Sequence, residues 1–143
     1  MTLVVDASVA FKWFAADEEL VPQAADLLAS KEALFAPDIL VAEVCNTAWR
    51  CVRQGRMEAA HADRIAAMLP AYFAALAGSA MLAPRAGELA RELDHPVYDC
   101  LYLSLAEARQ SRLVTADPRF LAKLAGTRWE GAALSLTEYG RRP

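Results

Sequence analysis

The sequence begins with a short uncharged run, Thr2–Val5, that leads directly into a carboxylate, Asp6. Apolar and β-branched residues without polar alternation are typical of a strand that is buried on both faces. Strands of this kind belong to parallel sheets whose two faces are covered by helices. The run therefore predicts a buried parallel strand that places Asp6 at its carboxyl end, where open α/β sheets bind their ligands.

Short strands alternate with helices along the rest of the chain. Further strands are predicted at Ala33–Pro37, 79–82, Arg112–Thr115 and 132–136. Helices are predicted at 8–14 (capped by Asp6 or Ser8), 21–30, Ile39–Arg53, 57–76 with a kink or break at Pro70, 84–93, 97–109 and Pro118–Leu124. The alternation predicts an α/β fold, a three-layer α/β/α arrangement with a mostly parallel central sheet.

Length and composition narrow the class of protein. The 143 residues are 56% hydrophobic and 23% charged, which predicts one packed domain over residues 1–143. The net charge of -3 argues against a broad basic surface for nucleic acid. With no apolar run long enough to span a bilayer and no signal-peptide pattern, we expect a cytoplasmic protein without a membrane segment.

The usual zinc ligands lack the spacing of a zinc site. Cys45, Cys51 and Cys100 form no C-x-x-C pair, and their odd number does not suggest a disulfide framework. Neither His61 nor His95 has a companion at ligand spacing. We therefore expect reduced cysteines and no zinc.

Four carboxylates are candidates for chemistry, and each also has an ordinary explanation. Asp6 and Asp117 suit helix N-caps, and Asp99 suits the positive end of a helix dipole. Glu43 lies on a polar stripe of the helix Ile39–Arg53, with Asn46, Thr47 and Arg50, opposite an apolar stripe of Val41, Val44, Cys45, Ala48 and Val52. Taken singly, the first three read as helix-end residues and Glu43 as part of a solvated face.

Taken together, these acids predict a metal site. Asp6 and Asp117 both follow parallel strands, so they share one edge of the sheet, and Asp99 begins the helix before the second strand. Converging carboxylates repel one another unless a cation lies among them, and Mg²⁺ or Mn²⁺ prefers oxygen ligands. Such a site suits phosphodiester hydrolysis. Supporting positions are predicted for the hydroxyls of Ser8 and Thr115 and, as local RNA contacts, for Arg50, Arg53 and Arg56.

Four motifs in order make the sequence resemble the PIN domain family, and within it the VapC ribonucleases of toxin–antitoxin pairs. The motifs are Val4 to Ala10 with Lys12-Trp13-Phe14, Ala36-Pro37-Asp38 leading to Glu43 and Asn46, His95 to Tyr102, and Leu113 to Asp117. Cys100 departs from the small residue, such as alanine, that is commoner at its position.

The resemblance implies a Mg²⁺- or Mn²⁺-dependent endoribonuclease. Asp6 and Asp99 would be the most direct metal ligands, while Glu43 and Asp117 would act directly or through water, supported by Thr115 and Ser8. Asn46 belongs to the same motif as Glu43. The resemblance also implies a homodimer and a VapB-like antitoxin whose tail covers the active-site groove.

Several other functions remain open or are excluded by particular residues. A haloacid-dehalogenase-like phosphatase needs a second Asp two positions after Asp6, where this chain has Ser8, and a receiver domain needs paired acids there. Two alternatives stay open: a catalytically silent module that binds RNA or a partner, and a housekeeping RNA-processing nuclease of the same family.

Overall fold

A five-stranded sheet forms the centre of the molecule. The structure is a computed structural model that describes residues 1–141. Its strands are β1 (Thr2–Val5), β2 (Ala33–Pro37), β3 (Ala75–Ala77), β4 (Arg112–Thr115) and β5 (Ala133–Ser135), arranged in the order β3-β2-β1-β4-β5. Every neighbouring pair is parallel, and Leu3, Val4 and Val5 of the central strand are buried. The α/β prediction and the position of β1 are confirmed.

Helices join the strands and cover the sheet. They are α1 (Ala7–Ala10), α2 (Val21–Ala29), α3 (Ile39–Arg53), α4 (Ala59–Met68), α5 (Ser79–Leu93), α6 (Val97–Ala108), α7 (Pro118–Leu124) and α8 (Leu136–Gly140). Three-residue and four-residue 3₁₀ segments lie at Phe11–Trp13, Leu69–Tyr72 and Glu130–Ala132. Within residues 1–141 no helix combines the length and the apolar character needed to cross a membrane.

Helix α6 is the most deeply buried of the connecting helices. It packs on β1, β2 and β4, and residues 100–106 along its length are all buried. A helix that is apolar on nearly all sides can bury its side chains only inside a core. Its amino end carries Asp99 to the same region as the end of β1.

The register of β1 and β4 brings their carboxyl ends together. Val5 pairs with Val114, and the Asp6 amide donates a 3.3 Å hydrogen bond to the Val114 carbonyl. Asp6 and Thr115 therefore lie side by side at the edge of the sheet. This edge holds the candidate site.

The predicted helix over 57–76 is wrong in its last part. Helix α4 ends at Met68, Pro70 lies in a 3₁₀ segment, and Ala75–Ala77 forms β3. The Ala74 amide donates a 2.8 Å hydrogen bond to the Leu34 carbonyl, next to the parallel pairing of β3 with β2. Pairing with an existing sheet edge overrides the helix propensity of alanine here.

The predicted strand at 79–82 is also wrong, because these residues form the first turn of α5. Gly78 precedes the helix, and Asp38 accepts a 3.1 Å hydrogen bond from the Ser79 amide. Pro84, which was expected to begin the helix, lies within it. Its missing N–H costs one hydrogen bond to the carbonyl four residues earlier.

Two smaller expectations are corrected as well. The buried face of α3 is Leu40, Val44, Ala48 and Cys51, so the predicted apolar stripe is displaced. Helix α3 packs against both α1 and α4, and this packing decides which of its residues are buried. The last strand ends at Ser135, and a capping box between Ser135 and Glu138 starts α8. The predicted strand extended one residue further, to 136, and no structure was predicted for the residues after it.

Candidate active site

A pocket of about 510 Å³ opens at the carboxyl edge of the sheet. All four predicted carboxylates line it, together with Ser8, Asn46 and Arg50. They come from the end of β1, from α3, from the first turn of α6 and from the start of α7. The fold thus brings together acids that are up to 111 positions apart (117 minus 6) in the sequence.

Asp6 lines this pocket and is 6% exposed. Its Oδ1 accepts hydrogen bonds from the Ser8 hydroxyl at 2.6 Å and from the Val9 amide at 3.2 Å, and its Oδ2 accepts one from the Thr115 hydroxyl. Burial raises the pKa of Asp6 to about 6, against the lowering effect of these hydrogen bonds, and the charge of Asp99 adds to the rise. The site therefore holds a carboxylate in a place that disfavours its charge.

The two hydroxyls also connect the ends of β1 and β4. The Thr115 hydroxyl accepts a 3.0 Å hydrogen bond from the Asp117 amide, and the Ser8 hydroxyl accepts one of 3.0 Å from the Ala116 amide. Asp117 caps α7 by accepting a 2.9 Å hydrogen bond from the Arg119 amide. Asp6 likewise caps α1. Both aspartates are helix caps and line the pocket, so the ordinary and the chemical roles coexist.

Glu43 is held by a residue that sequence reasoning did not connect with it. The hydroxyl of Tyr102, on α6, donates a 2.7 Å hydrogen bond to Glu43 Oε1. Burial raises the pKa of Glu43 above its ordinary value, and the charge of Asp99 adds to the rise. The Tyr102 hydrogen bond opposes this rise only in part. Tyr102 lies three positions after Asp99 in a helix, a spacing that places both side chains on one face and could have revealed it.

Asp99 has a histidine partner. His95 Nε2 lies 2.6 Å from Asp99 Oδ2, a distance at which an Nε2–H group donates a hydrogen bond. The His95 ring also packs on Phe120 with ring centroids 5.0 Å apart. His95 has no second histidine or cysteine at ligand spacing, and its contact is with a carboxylate four positions later in the sequence.

The cations near the pocket differ from the expected set. Arg50 lines the pocket, whereas the Arg53 guanidinium lies 5.6 Å from the ring centroid of the exposed Trp49 and does not line it. Lys12, which was not considered as a site residue, lines the pocket and is 7% exposed. A single lysine in the otherwise uncharged stretch from Val9 to Phe14 was the available signal.

The donor set fits a hard divalent cation that keeps part of its water shell. Among residues 1–141, no three His, Cys, Asp or Glu side chains are close enough to enclose a metal ion by themselves. Mg²⁺ commonly binds through one or two carboxylates and several waters, whereas structural zinc needs a full protein cage. Asp6, Glu43 and Asp99 offer oxygen donors, and the charge of Asp99 raises the pKa values of the other two. A cation would relieve that repulsion.

This combination of sheet, carboxylates and strand-end hydroxyls belongs to a known class. The PIN domain model matches residues 3–126, so the chain belongs to the PIN domain family. It is 31% identical over 125 residues to ribonuclease VapC3 of Pyrobaculum aerophilum, a match that covers 86% of this chain and 95% of that protein. The resemblance of the sequence to VapC-type PIN domains is thereby confirmed.

Solved structures share the fold. The crystal structure of PAE2754 from Pyrobaculum aerophilum aligns with a TM-score of 0.71 at 24% identity, covering 99% of this chain and 91% of that one. VapBC2 from Rickettsia felis, crystallised with a DNA fragment from its promoter, aligns with a TM-score of 0.65 at 15% identity, covering 94% and 98%. At these identities the two structures support the fold assignment.

Proposed function

We propose that this VapC-type PIN domain is a metal-dependent endoribonuclease that hydrolyses RNA phosphodiester bonds. The observation that carries the proposal is the convergence of Asp6, Glu43, Asp99 and Asp117 on one pocket. Relatedness to a ribonuclease over 86% of the chain supports RNA as the substrate. A silent binding module would not need a buried carboxylate such as Asp6, whose charge the surroundings disfavour.

Asp6 and Asp99 would hold Mg²⁺ or Mn²⁺ most directly, with Glu43 and Asp117 completing the shell directly or through water. A divalent ion bound by these carboxylates would supply a nucleophilic water at neutral pH and would polarise the scissile phosphoryl oxygen. The remaining work falls to the protein, which must fix its carboxylates against their mutual repulsion.

The surrounding residues are suited to that task. Ser8 and Thr115 donate to the two oxygens of Asp6, Tyr102 donates to Glu43, and His95 contacts Asp99. Each carboxylate therefore keeps a fixed direction with lone pairs left for the pocket. Rigid placement of charge before the reaction is the largest contribution that many enzyme sites make to rate.

The biological role that we propose is that of a toxin in a toxin–antitoxin pair. A VapB-like antitoxin would be its partner, with a homodimer as the assembly, and the cytoplasm would be its place of action. The fold shared with VapBC2, whose name joins VapB with VapC, supports a VapB-like partner. Growth arrest on expression, relieved by a small protein encoded beside this gene, would distinguish a toxin from a housekeeping nuclease.

The test of the activity is RNA cleavage by the purified protein with Mg²⁺, with Mn²⁺ and with EDTA. We expect cleavage only with metal, and we expect Asp99→Asn to abolish it while the protein stays folded. Asp94→Asn is the matched control, because Asp94 is exposed and its left-handed backbone suits asparagine. Cleavage by Asp99→Asn at the wild-type rate would contradict the site assignment. RNA binding by the wild-type protein without cleavage would favour the silent module.

A further inference from the structure

Two consecutive acids in the loop before α2 each hold a cation from another part of the chain. Asp17 Oδ2 lies 3.1 Å from Arg56 Nη2, and Glu18 Oε2 lies 3.4 Å from Lys12 Nζ. The next acid, Glu19, is exposed and forms no ion pair within residues 1–141. The pairing is therefore particular to two of the three acids.

The two cations line a groove made of two adjoining cavities, one of which is the active-site pocket. Lys12 lines that pocket, while Arg56 lines a neighbouring cavity of about 280 Å³. Glu18, Thr47 and Arg50 line both spaces, which joins them. A strand of RNA whose scissile bond lies at Asp6 and Asp99 could leave the site along this groove.

The charge of the groove makes the pairing consequential. Among the described residues, five carboxylates line the active-site pocket against two cations, Lys12 and Arg50. RNA is a polyanion, and its backbone is positioned by lysine and arginine contacts to phosphates. In the free protein, Asp17 and Glu18 neutralise two of the cations that could make such contacts.

We propose that Lys12 and Arg56 bind RNA phosphates next to the scissile bond, and that Asp17 and Glu18 occupy these two cations until RNA displaces them. The inference rests on the proposed ribonuclease function and names the residues that hold its substrate. Exchange is easiest at the Arg56–Asp17 pair, which is 47% and 61% exposed, because ion pairs in such settings are weak. The Lys12–Glu18 pair is only 8% and 30% exposed, but both of its residues line the active-site pocket, so RNA reaches it from there. The acidic pair thus acts as an internal substitute for the RNA backbone.

The test measures RNA binding under conditions that prevent cleavage. Fluorescence anisotropy of a fluorescein-labelled single-stranded RNA oligonucleotide is followed in EDTA at several salt concentrations for Asp17→Asn, Glu18→Gln and the double variant. We expect binding to tighten about threefold for each acid removed, the size of one weak ion pair. The dependence of log K on log salt should steepen by about 0.7 for each cation set free.

Glu19→Gln is the matched control, since it makes the same charge change in the same loop without breaking an ion pair. If Glu18→Gln and Asp17→Asn bind RNA no more tightly than Glu19→Gln and with the same salt dependence, the inference is overturned. A larger gain for the paired acids supports it.

The complementary variants remove the cations. Lys12→Met and Arg56→Gln should weaken RNA binding about threefold and reduce the salt dependence, whereas Lys31→Met, at an exposed lysine, should do neither. Arg56→Gln decides the question if Lys12→Met, at a buried position, does not fold. If the wild-type protein cleaves RNA but all these variants bind RNA like their controls, this inference alone is overturned. If the wild-type protein neither binds nor cleaves RNA, the proposed function is overturned as well.

Discussion

The Tyr102 hydroxyl donates a 2.7 Å hydrogen bond to Glu43, a residue 59 positions earlier in the sequence. Tyr102 is 1% exposed and belongs to α6, whereas Glu43 belongs to α3. The bond therefore ties the buried helix beneath the sheet edge to a carboxylate in the pocket. It joins a core residue to the candidate chemistry, as the buried Thr115 does at Asp6.

Replacing Tyr102 with phenylalanine tests that link. The substitution leaves the ring in place but removes the donor, so we expect it to lower the free energy of unfolding by about 1 kcal/mol. It should also raise the pKa of Glu43 further, because the lost hydrogen bond favours its charged form. Urea denaturation measures the first effect. Tyr98→Phe, at a 58% exposed ring, is the control, and an equal loss in both variants would count against a structural role for the bond.

The buried charge of Asp6 predicts a pH dependence of stability. Between pH 4 and pH 6 the folded protein keeps the Asp6 proton, since its pKa is about 6, while the unfolded chain has released it. The unfolded state then binds fewer protons, so stability falls as the pH rises through this window. Asp6→Asn removes the loss in free energy of unfolding that comes from the buried charge, which is about 3 kcal/mol at most.

Thermal denaturation in EDTA at pH 5 and pH 8 measures this effect. We expect the melting temperature of Asp6→Asn minus that of wild type to be larger at pH 8 than at pH 5. The reorganised hydrogen bonds with Ser8 and Thr115 affect both pH values alike, so the change with pH isolates the charge. A difference that is the same at pH 5 and pH 8 would show that Asp6 does not titrate in this range.

Divalent metal should stabilise the folded protein. A ligand that binds only the native state raises the free energy of unfolding by mass action, about 2.7 kcal/mol at a hundredfold excess over its Kd. We expect millimolar Mg²⁺ or Mn²⁺ to raise the melting temperature of wild type, and the rise to disappear in Asp6→Asn and Asp99→Asn. Asp94→Asn should keep the full response. An unchanged melting temperature in wild type would argue against the metal site.

Removal of the Thr115 hydroxyl should destabilise the fold. It is fully buried, donates to Asp6 and accepts from the Asp117 amide, so Thr115→Val leaves the buried Asp6 carboxylate and the half-buried Asp117 amide without this partner. We expect a loss of about 2 kcal/mol in the free energy of unfolding, measured by urea denaturation. Thr115→Ser keeps the hydroxyl and should recover most of that loss, and a Thr115→Val variant as stable as wild type would argue against the role of the hydroxyl.

Local patterns predicted the elements that build the site. The bounds of β2, α3, β4 and α7 match the predicted ranges because capping residues, prolines and apolar periodicity act over a few neighbouring positions. Asp6 and Asp117 were placed at strand ends for the same reason. The predictions failed at β3 and at the start of α5, where the conformation depends on hydrogen bonds to β2 and to Asp38.

The sequence by itself determined the order of strands and helices, the acids at the sheet edge and the family. Only the tertiary structure decided which groups hold those acids: Tyr102 on Glu43, His95 on Asp99 and Thr115 on Asp6. It also decided that Lys12 faces the pocket with Glu18 as its counterion. The physical reason is range, because propensity and capping act along the chain, whereas a hydrogen bond or ion pair across the fold exists only once packing has fixed both partners.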